Sequence, residues 1–199
     1  YPAKFDKMVT GEAPDLQDRE NGIGIEVTAA VRENDMRASR AFSELYQGEP
    51  KDIEKRKKVI ESSGYTFVPL VDNKVVISTS GTADGEKCFF QESIRRKTKK
   101  LVQYHANYKE IGLAIILPEI PTSYAETNLS EWLSELLTES NNRFDFVYVI
   151  SHRFCIHFDM QGNILEKHSL TSDENCWLAT IGRMTAEGEL SFSSSEEWM

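Results

Sequence analysis

Two acidic residues, Asp15 and Glu26, lie eleven positions apart on either side of an Asn21-Gly22 pair. Asn-Gly is the strongest two-residue signal for a β-hairpin, because both residues tolerate positive φ. If this pair forms the turn, the two carboxylates lie on one face as diagonal neighbours, about 7–8 Å apart at the backbone. Carboxylates so arranged can hold Mg²⁺, which keeps several waters and can polarise a phosphate. The spacing therefore permits metal-assisted hydrolysis of a phosphate ester.

The same register pairs Gln17 with Glu26 and Asp15 with Thr28, so these polar side chains share one face of the hairpin. The other face is apolar and is predicted to enter the core; it carries Leu16, Ile23, Ile25 and Val27. A surface hairpin with an acidic exposed face explains the pattern equally well. A shift of one residue would also separate the two acids.

A second candidate group lies on the segment from Glu86 to Tyr108, which is predicted to form one long helix. Steps of three and four place one stripe of residues on a single helix face. The stripe consists of Phe90, Ile94, Lys97, Leu101, Tyr104 and Tyr108. Lys97 is its charged member, and an inward Lys either extends its ammonium past the core edge or meets a carboxylate. Both interpretations stay open at this point.

Basic residues are concentrated in two segments of an acidic chain. The chain carries 23 Lys and Arg against 32 Asp and Glu, a net charge of -9, which argues against a general nucleic-acid coating protein. Residues 87–109 contain seven basic residues and one acidic residue, a pattern that suits contact with a phosphate backbone. Residues 51–58 contain five basic and two acidic residues and are better explained as a solvated helix face.

Helical and strand patterns alternate along the 199 residues, which favours a single α/β domain over 1–199. The apolar run Ile111 to Leu117 predicts a strand covered on both faces, and it is too short to cross a bilayer. We also expect an inserted hairpin at 64–80 and a β-rich C-terminal extension at 143–192, with a last strand at Cys176 to Ile181. Three cysteines without a paired motif favour a reducing, cytoplasmic compartment.

The residues Pro14-Asp15 and Ile23-Gly-Ile-Glu-Val-Thr28 together resemble the PD-(D/E)XK, or restriction endonuclease-like, nuclease superfamily. The resemblance implies a mixed central sheet flanked by helices, with Asp15 and Glu26 as the metal ligands. In that superfamily a Lys two positions after the second acid assists the attacking water, and here Thr28 stands at that position. Divergent members carry the Lys on a neighbouring helix, which makes Lys97 the expected substitute.

The resemblance implies a metal-dependent nuclease that hydrolyses phosphodiester bonds in DNA with Mg²⁺ or Mn²⁺. We expect Thr28 to hydrogen-bond the water, and Gln17 or a backbone carbonyl to complete the protein ligands of the metal. Lys100 is a reserve for Lys97. The phosphates of the strand would be held by Arg95, Arg96, Lys99 and Lys100. Whether the protein forms a homodimer stays open.

Two other functions fit the same residues. Thr28 at the Lys position and the acidic net charge favour a catalytically silent member of the fold that binds nucleic acid or a protein partner. An unrelated α/β interaction module is the third interpretation, and it requires Asp15 and Glu26 to point apart. The three hypotheses differ in whether the two carboxylates converge and whether Lys97 reaches them.

Overall fold

A computed structural model describes residues 5–45, 50–69, 75–78, 83–104, 106–117, 123–139, 143–159, 161–177 and 180. The strands are β1 (Val9–Thr10), β2 (Leu16–Asp18), β3 (Ile23–Ala29), β4 (Thr66–Pro69), β5 (Val75–Ser78), β6 (Glu110–Leu117), β7 (Phe146–Ser151), β8 (Phe154–Phe158) and β9 (Ile164–Ser169). The helices are α1 (Glu33–Leu45), α2 (Pro50–Ser62), α3 (Ala83–Thr98), α4 (Leu101–Tyr104) and α5 (Ser123–Glu139). Among these residues no helix is both long and apolar enough to cross a membrane.

Seven strands form one mixed sheet in the order β1-β2-β3-β6-β7-β8-β9. Strand β6 lies at its centre and pairs in parallel with β3 and β7, whereas the outer pairs are antiparallel. Ile111, Leu113 and Ile115 of β6 are fully buried and pack with apolar side chains of α3, α4 and α5. The predicted α/β class, with a mixed central sheet flanked by helices, is confirmed, as is the buried central strand.

The register of the first hairpin differs from the predicted one by two residues. Asp18 pairs with Ile23, so four residues connect the strands in place of the expected two. The Asp18 carboxylate accepts bonds from the Asn21 backbone N–H (3.0 Å) and side-chain amide (2.6 Å), and Gly22 has a φ of 72°. These bonds close a longer, Asx-type turn, which is why the Asn-Gly prediction was wrong in register.

A shift of two residues leaves every side chain on its predicted face, because alternation along a strand has period two. Ile23 and Ile25 are buried and pack with the partly buried Leu16 on one face, as expected. Extending the observed pairing one residue beyond Leu16 places Asp15 directly opposite Glu26, where a diagonal arrangement was predicted. In the observed register the two acids are therefore closer together than in the predicted one.

The predicted helix from Glu86 to Tyr108 is divided into α3 and α4 at Lys99-Lys100. Here the Lys100 N–H donates to the Lys97 carbonyl at 2.9 Å, a three-residue spacing that tightens the end of α3. The predicted stripe is nevertheless buried, except that Lys97 and Tyr108 retain partial exposure. Tertiary packing thus keeps the stripe continuous across the break.

The chain divides into two compact units. One comprises Tyr1–Ala30 with Phe90–Met199, and it contains the seven-stranded sheet. The other, Val31–Phe89, contains α1, α2 and the β4–β5 hairpin around a small core of Ala38, Ala41, Ile60 and Tyr65. The inserted hairpin predicted at 64–80 is present as β4 and β5, which pair antiparallel; residues 70–74 and 79–80 lie outside the described residues.

The C-terminal part of the sheet is formed by β7, β8 and β9. The strand predicted at Cys176 to Ile181 is wrong where the structure describes it, because residues 172–177 are helical. Thr171 and Glu174 form a reciprocal capping box at the start of this helix, with bonds of 3.2 Å and 2.7 Å. Residues 178–179 and 181–192 of the predicted extension lie outside the described residues.

Candidate functional site

Glu26, in the middle of β3, is a buried carboxylate whose side chain is 1% exposed. Its Oε1 accepts hydrogen bonds from the Lys97 ammonium at 2.6 Å and the Lys100 ammonium at 3.2 Å. Its Oε2 accepts a bond from the Tyr104 hydroxyl at 2.9 Å. Two cations and a phenol therefore compensate one buried negative charge, as a buried carboxylate requires.

The spacing of the donors explains how they reach one carboxylate. Lys97 and Tyr104 are two members of the buried stripe, seven residues apart, and both face the sheet. Lys100 comes from the turn between α3 and α4, and its side chain remains 51% exposed. The Lys97 side chain is only 15% exposed, so it meets a carboxylate and does not extend into solvent.

Asp15 stands just before β2, and its side chain is 41% exposed. Its Oδ2 accepts a bond from the Val27 backbone N–H at 2.7 Å and lies 3.9 Å from the Lys97 ammonium. Its Oδ1 has no hydrogen-bond donor among the described residues. The carboxylates of Asp15 and Glu26 thus do not point apart; both face the same ammonium group.

The charge states in this cluster follow from its contacts. Burial alone would raise the pKa of Glu26, but the hydrogen bonds from Lys97, Tyr104 and Lys100 outweigh it and hold the pKa below its ordinary value. Burial, and then the bond to the Glu26 carboxylate, raises the pKa of Tyr104 well above its ordinary value. Glu26 is therefore ionised and Tyr104 protonated at neutral pH.

Thr28 and Gln17 both lie on the predicted face of the hairpin, and each has a protein partner there. Thr28 is buried on the same face as Glu26, and its hydroxyl accepts a bond from Arg96 at 3.4 Å. The Gln17 amide donates to the Pro14 carbonyl at 2.9 Å and accepts from Arg19 at 3.1 Å. Both ends of the Gln17 amide are engaged locally, and its role as a metal ligand stays a prediction.

The four predicted phosphate-binding residues divide into two groups. Arg95 and Lys99 are exposed at the end of α3. Arg96 and Lys100 are exposed as well, and they also contact the cluster, through Thr28 and Glu26. Tyr104 was not identified from the sequence as a functional residue, because a tyrosine within a stripe of apolar and aromatic residues is explained by core packing alone. Its position seven residues after Lys97 was the available signal.

The donor set is compatible with a hard divalent cation, although it is sparse. No group of three His, Cys, Asp or Glu side chains that could hold a metal occurs in the part of the chain that the structure describes. Two carboxylates nevertheless suffice for Mg²⁺, which keeps several waters. Asp15 offers the unengaged Oδ1, while Glu26 would have to exchange an ammonium contact for the ion.

The assignment of this site depends on its own geometry. Comparison of the chain with protein-family models, with curated proteins and with solved structures returned no match. The contacts among Asp15, Glu26, Lys97, Lys100 and Tyr104 therefore carry the functional argument.

Proposed function

We propose that this chain is a metal-dependent nuclease that hydrolyses phosphodiester bonds, with DNA as its substrate. The observation that supports it best is the position of Lys97, whose ammonium lies 2.6 Å from Glu26 and 3.9 Å from Asp15. Two carboxylates and an ammonium are the residue types that such hydrolysis needs. The ammonium comes from α3, and Thr28 stands where the superfamily that this hairpin resembles carries its Lys.

In this proposal each residue has a distinct task. Asp15 and Glu26 would hold Mg²⁺ or Mn²⁺, and the ion would supply Lewis-acid chemistry and lower the pKa of water. Lys97 orients the attacking water and stabilises the negative charge that develops on the phosphate. Tyr104 is a positioning residue, because its hydroxyl fixes Oε2 of Glu26. Thr28 and Arg96 extend the polar face toward the substrate.

The end of α3 supplies the contacts to the strand. Arg95, Arg96, Lys99 and Lys100 place four cations within six residues of an otherwise acidic chain. Such a cluster neutralises strand phosphates and releases counterions, so binding should weaken as salt increases. We place the protein in the cytoplasm, since Cys88, Cys155 and Cys176 form no disulfide bond.

A second function is favoured by one observation: Glu26 is already satisfied by three protein donors. In a silent nuclease-like protein, Lys97 would serve permanently as the cation between the two carboxylates. The chain would then bind nucleic acid, or a protein partner, without cutting it. The two functions differ in whether a divalent ion binds at this site and makes the chain cut DNA.

The test is cleavage of labelled DNA by the purified chain in Mg²⁺ or Mn²⁺, with EDTA as the metal-free control. We expect cleavage only with metal, and a loss of about 100-fold or more in Lys97→Met, which removes the ammonium. Lys57→Met is the matched control, because it removes an ammonium whose partner is the exposed Glu54. It should retain wild-type activity.

Three outcomes decide between the functions. Equal cleavage by wild type and Lys97→Met would contradict the nuclease proposal and indicate a contaminating activity. DNA binding in EDTA without cleavage in either metal would favour the silent function. Calorimetric titration of Mg²⁺ adds a second measurement, since heat that disappears in Asp15→Asn supports the metal site.

A further inference from the structure

The unit formed by Val31–Phe89 contains a cleft of about 420 Å³ between α1 and α2. Its charged lining residues lie at helical spacing on the two facing helices and are Arg37, Arg40, Glu44, Asp52, Lys55 and Arg56. Ala41 and Val59 contribute apolar surface. The volume falls within the range of clefts that hold small ligands.

The cleft is cationic although the chain is acidic. Four basic and two acidic side chains line it, which gives a net charge of +2 against -9 for the whole chain. Arg37 and Lys55 are exposed and make no ion pair with any residue that the structure describes. A cleft lined by one predominant sign of charge concentrates ligands of the opposite sign. The lining therefore selects for anions.

Glu44 holds two of the four cations in place. It contacts Arg40 Nε at 3.0 Å and Arg56 Nε at 3.3 Å. The hydrogen bond from Arg40, assisted by Arg56, lowers the pKa of Glu44, so this carboxylate is ionised at neutral pH. One carboxylate shared by two guanidinium groups leaves most of their donors available.

One hydrogen-bond donor of Arg56 is left unsatisfied by the part of the chain that the structure describes. Its Nη1 is buried and has no hydrogen-bond partner among the described residues, while its Nε is held by Glu44. A buried donor left unsatisfied is costly, and such groups are uncommon in folded proteins. An acceptor that enters the cleft can satisfy this donor if the guanidinium turns toward it.

We propose that this cleft binds the phosphate group of a nucleotide, either free or within a nucleic-acid strand. A terminal phosphate monoester carries a charge of about -1.5 to -2 at neutral pH, which matches the excess charge of the lining, and each phosphate within a strand carries about -1. Arginine forks bind phosphate oxygens with two parallel hydrogen bonds. This binding does not depend on the proposed nuclease activity.

The test measures binding by the full chain in EDTA, where metal-dependent cleavage cannot occur. The probes are inorganic phosphate, AMP and a short fluorescently labelled DNA strand, followed by calorimetry or anisotropy. We expect Arg56→Gln to weaken binding about tenfold or more, because it removes a charge-assisted donor. Lys57→Gln makes the same change of charge one residue away, outside the lining, and should weaken binding less than twofold.

The probes also identify the source of the phosphate. Binding of AMP without the strand indicates a free nucleotide, and binding of the strand alone indicates nucleic acid. If Arg56→Gln does not fold by circular dichroism, Lys55→Gln provides the same comparison, because Lys55 makes no described ion pair. Equal weakening in the Arg56 or Lys55 variant and in Lys57→Gln would overturn the proposal. Absence of binding by all three probes would overturn it as well.

A final comparison separates this proposal from the proposed function. Lys97→Met should bind AMP or phosphate as wild type does, whether or not the chain cuts DNA. Loss of this binding in Lys97→Met would place the phosphate at the Glu26 cluster and contradict the cleft assignment. If the chain does not cut DNA but Arg56→Gln still weakens phosphate binding, the cleft proposal is supported and the nuclease proposal is contradicted.

Discussion

The two basic segments of this chain both carry a positive net charge but have different structural roles. On α2, Lys57 pairs with the exposed Glu54 at 3.0 Å. At the end of α3, Lys97 instead pairs at 2.6 Å with Glu26, which is 1% exposed. The difference lies in the acid that each cation meets and in how far that acid is removed from water.

Burial changes how much an ion pair contributes to the free energy of unfolding. An exposed pair contributes little, because water and salt screen it. A buried pair is costly to form, and removal of one partner leaves an uncompensated charge. Buried charge clusters of this kind occur at functional sites, where their perturbed pKa values are used. Substitutions at the buried cluster should therefore have larger effects than substitutions at the exposed pair on α2.

The largest effect is expected for Glu26→Ala. It leaves Lys97 without its closest partner in a low-dielectric site, so the free energy of unfolding should fall by about 3–5 kcal/mol. Glu54→Ala, at an exposed pair on α2, should change it by less than about 0.5 kcal/mol. Urea denaturation of both variants measures the contrast. Similar losses in the two would show that the buried cluster has no special energetic status.

Lys97→Met should have a smaller effect, because Glu26 keeps its bonds from Lys100 and Tyr104. We expect a loss of about 1.5–3 kcal/mol, the range for a hydrogen bond to a charged group. Lys57→Met serves as the control and should lie within about 0.5 kcal/mol of wild type. A Lys97→Met protein as stable as Lys57→Met would contradict a compensating role for this ammonium.

Tyr104→Phe tests the neutral donor of the cluster. It removes one hydrogen bond to the ionised Glu26 without changing volume greatly, so a loss of about 1.5 kcal/mol, the low end of the range for a bond to a charged group, is expected by thermal or urea unfolding. If the proposed nuclease activity is present, the variant should cut DNA more slowly than wild type but faster than Lys97→Met. Unchanged stability and activity would show that the Tyr104 hydroxyl has no role in the site.

The smallest expected effect is the pH dependence of stability. The pKa of Glu26 in the folded chain lies below its ordinary value of 4.5, so its stabilising contribution is fully present above pH 4.5. The contribution is lost as the pH falls through the folded-state pKa. Urea denaturation from neutral to acidic pH should therefore show a shallower acid-side loss in Glu26→Gln than in wild type. Parallel curves would contradict the assignment.

Much of the site was predictable because it depends on alternation and periodicity. Side-chain alternation placed Asp15 and Glu26 on one face, and this survived an error of two residues in the turn. Helical periodicity placed Lys97 toward the core but could not identify its partner. The same periodicity could not show that Lys100, at a break in the helix, would also reach Glu26.

The local sequence therefore determined which faces of β2, β3 and α3 carry polar groups, because backbone geometry alone sets those periods. It also determined the charge of α2 and of the end of α3. Only the tertiary structure decided that Lys97, seventy-one residues after Glu26, meets it in the core, while Arg56 lines a cleft with α1. These contacts depend on how elements distant in the sequence pack together. Local sequence patterns do not determine the distance between two side chains so far apart in the chain.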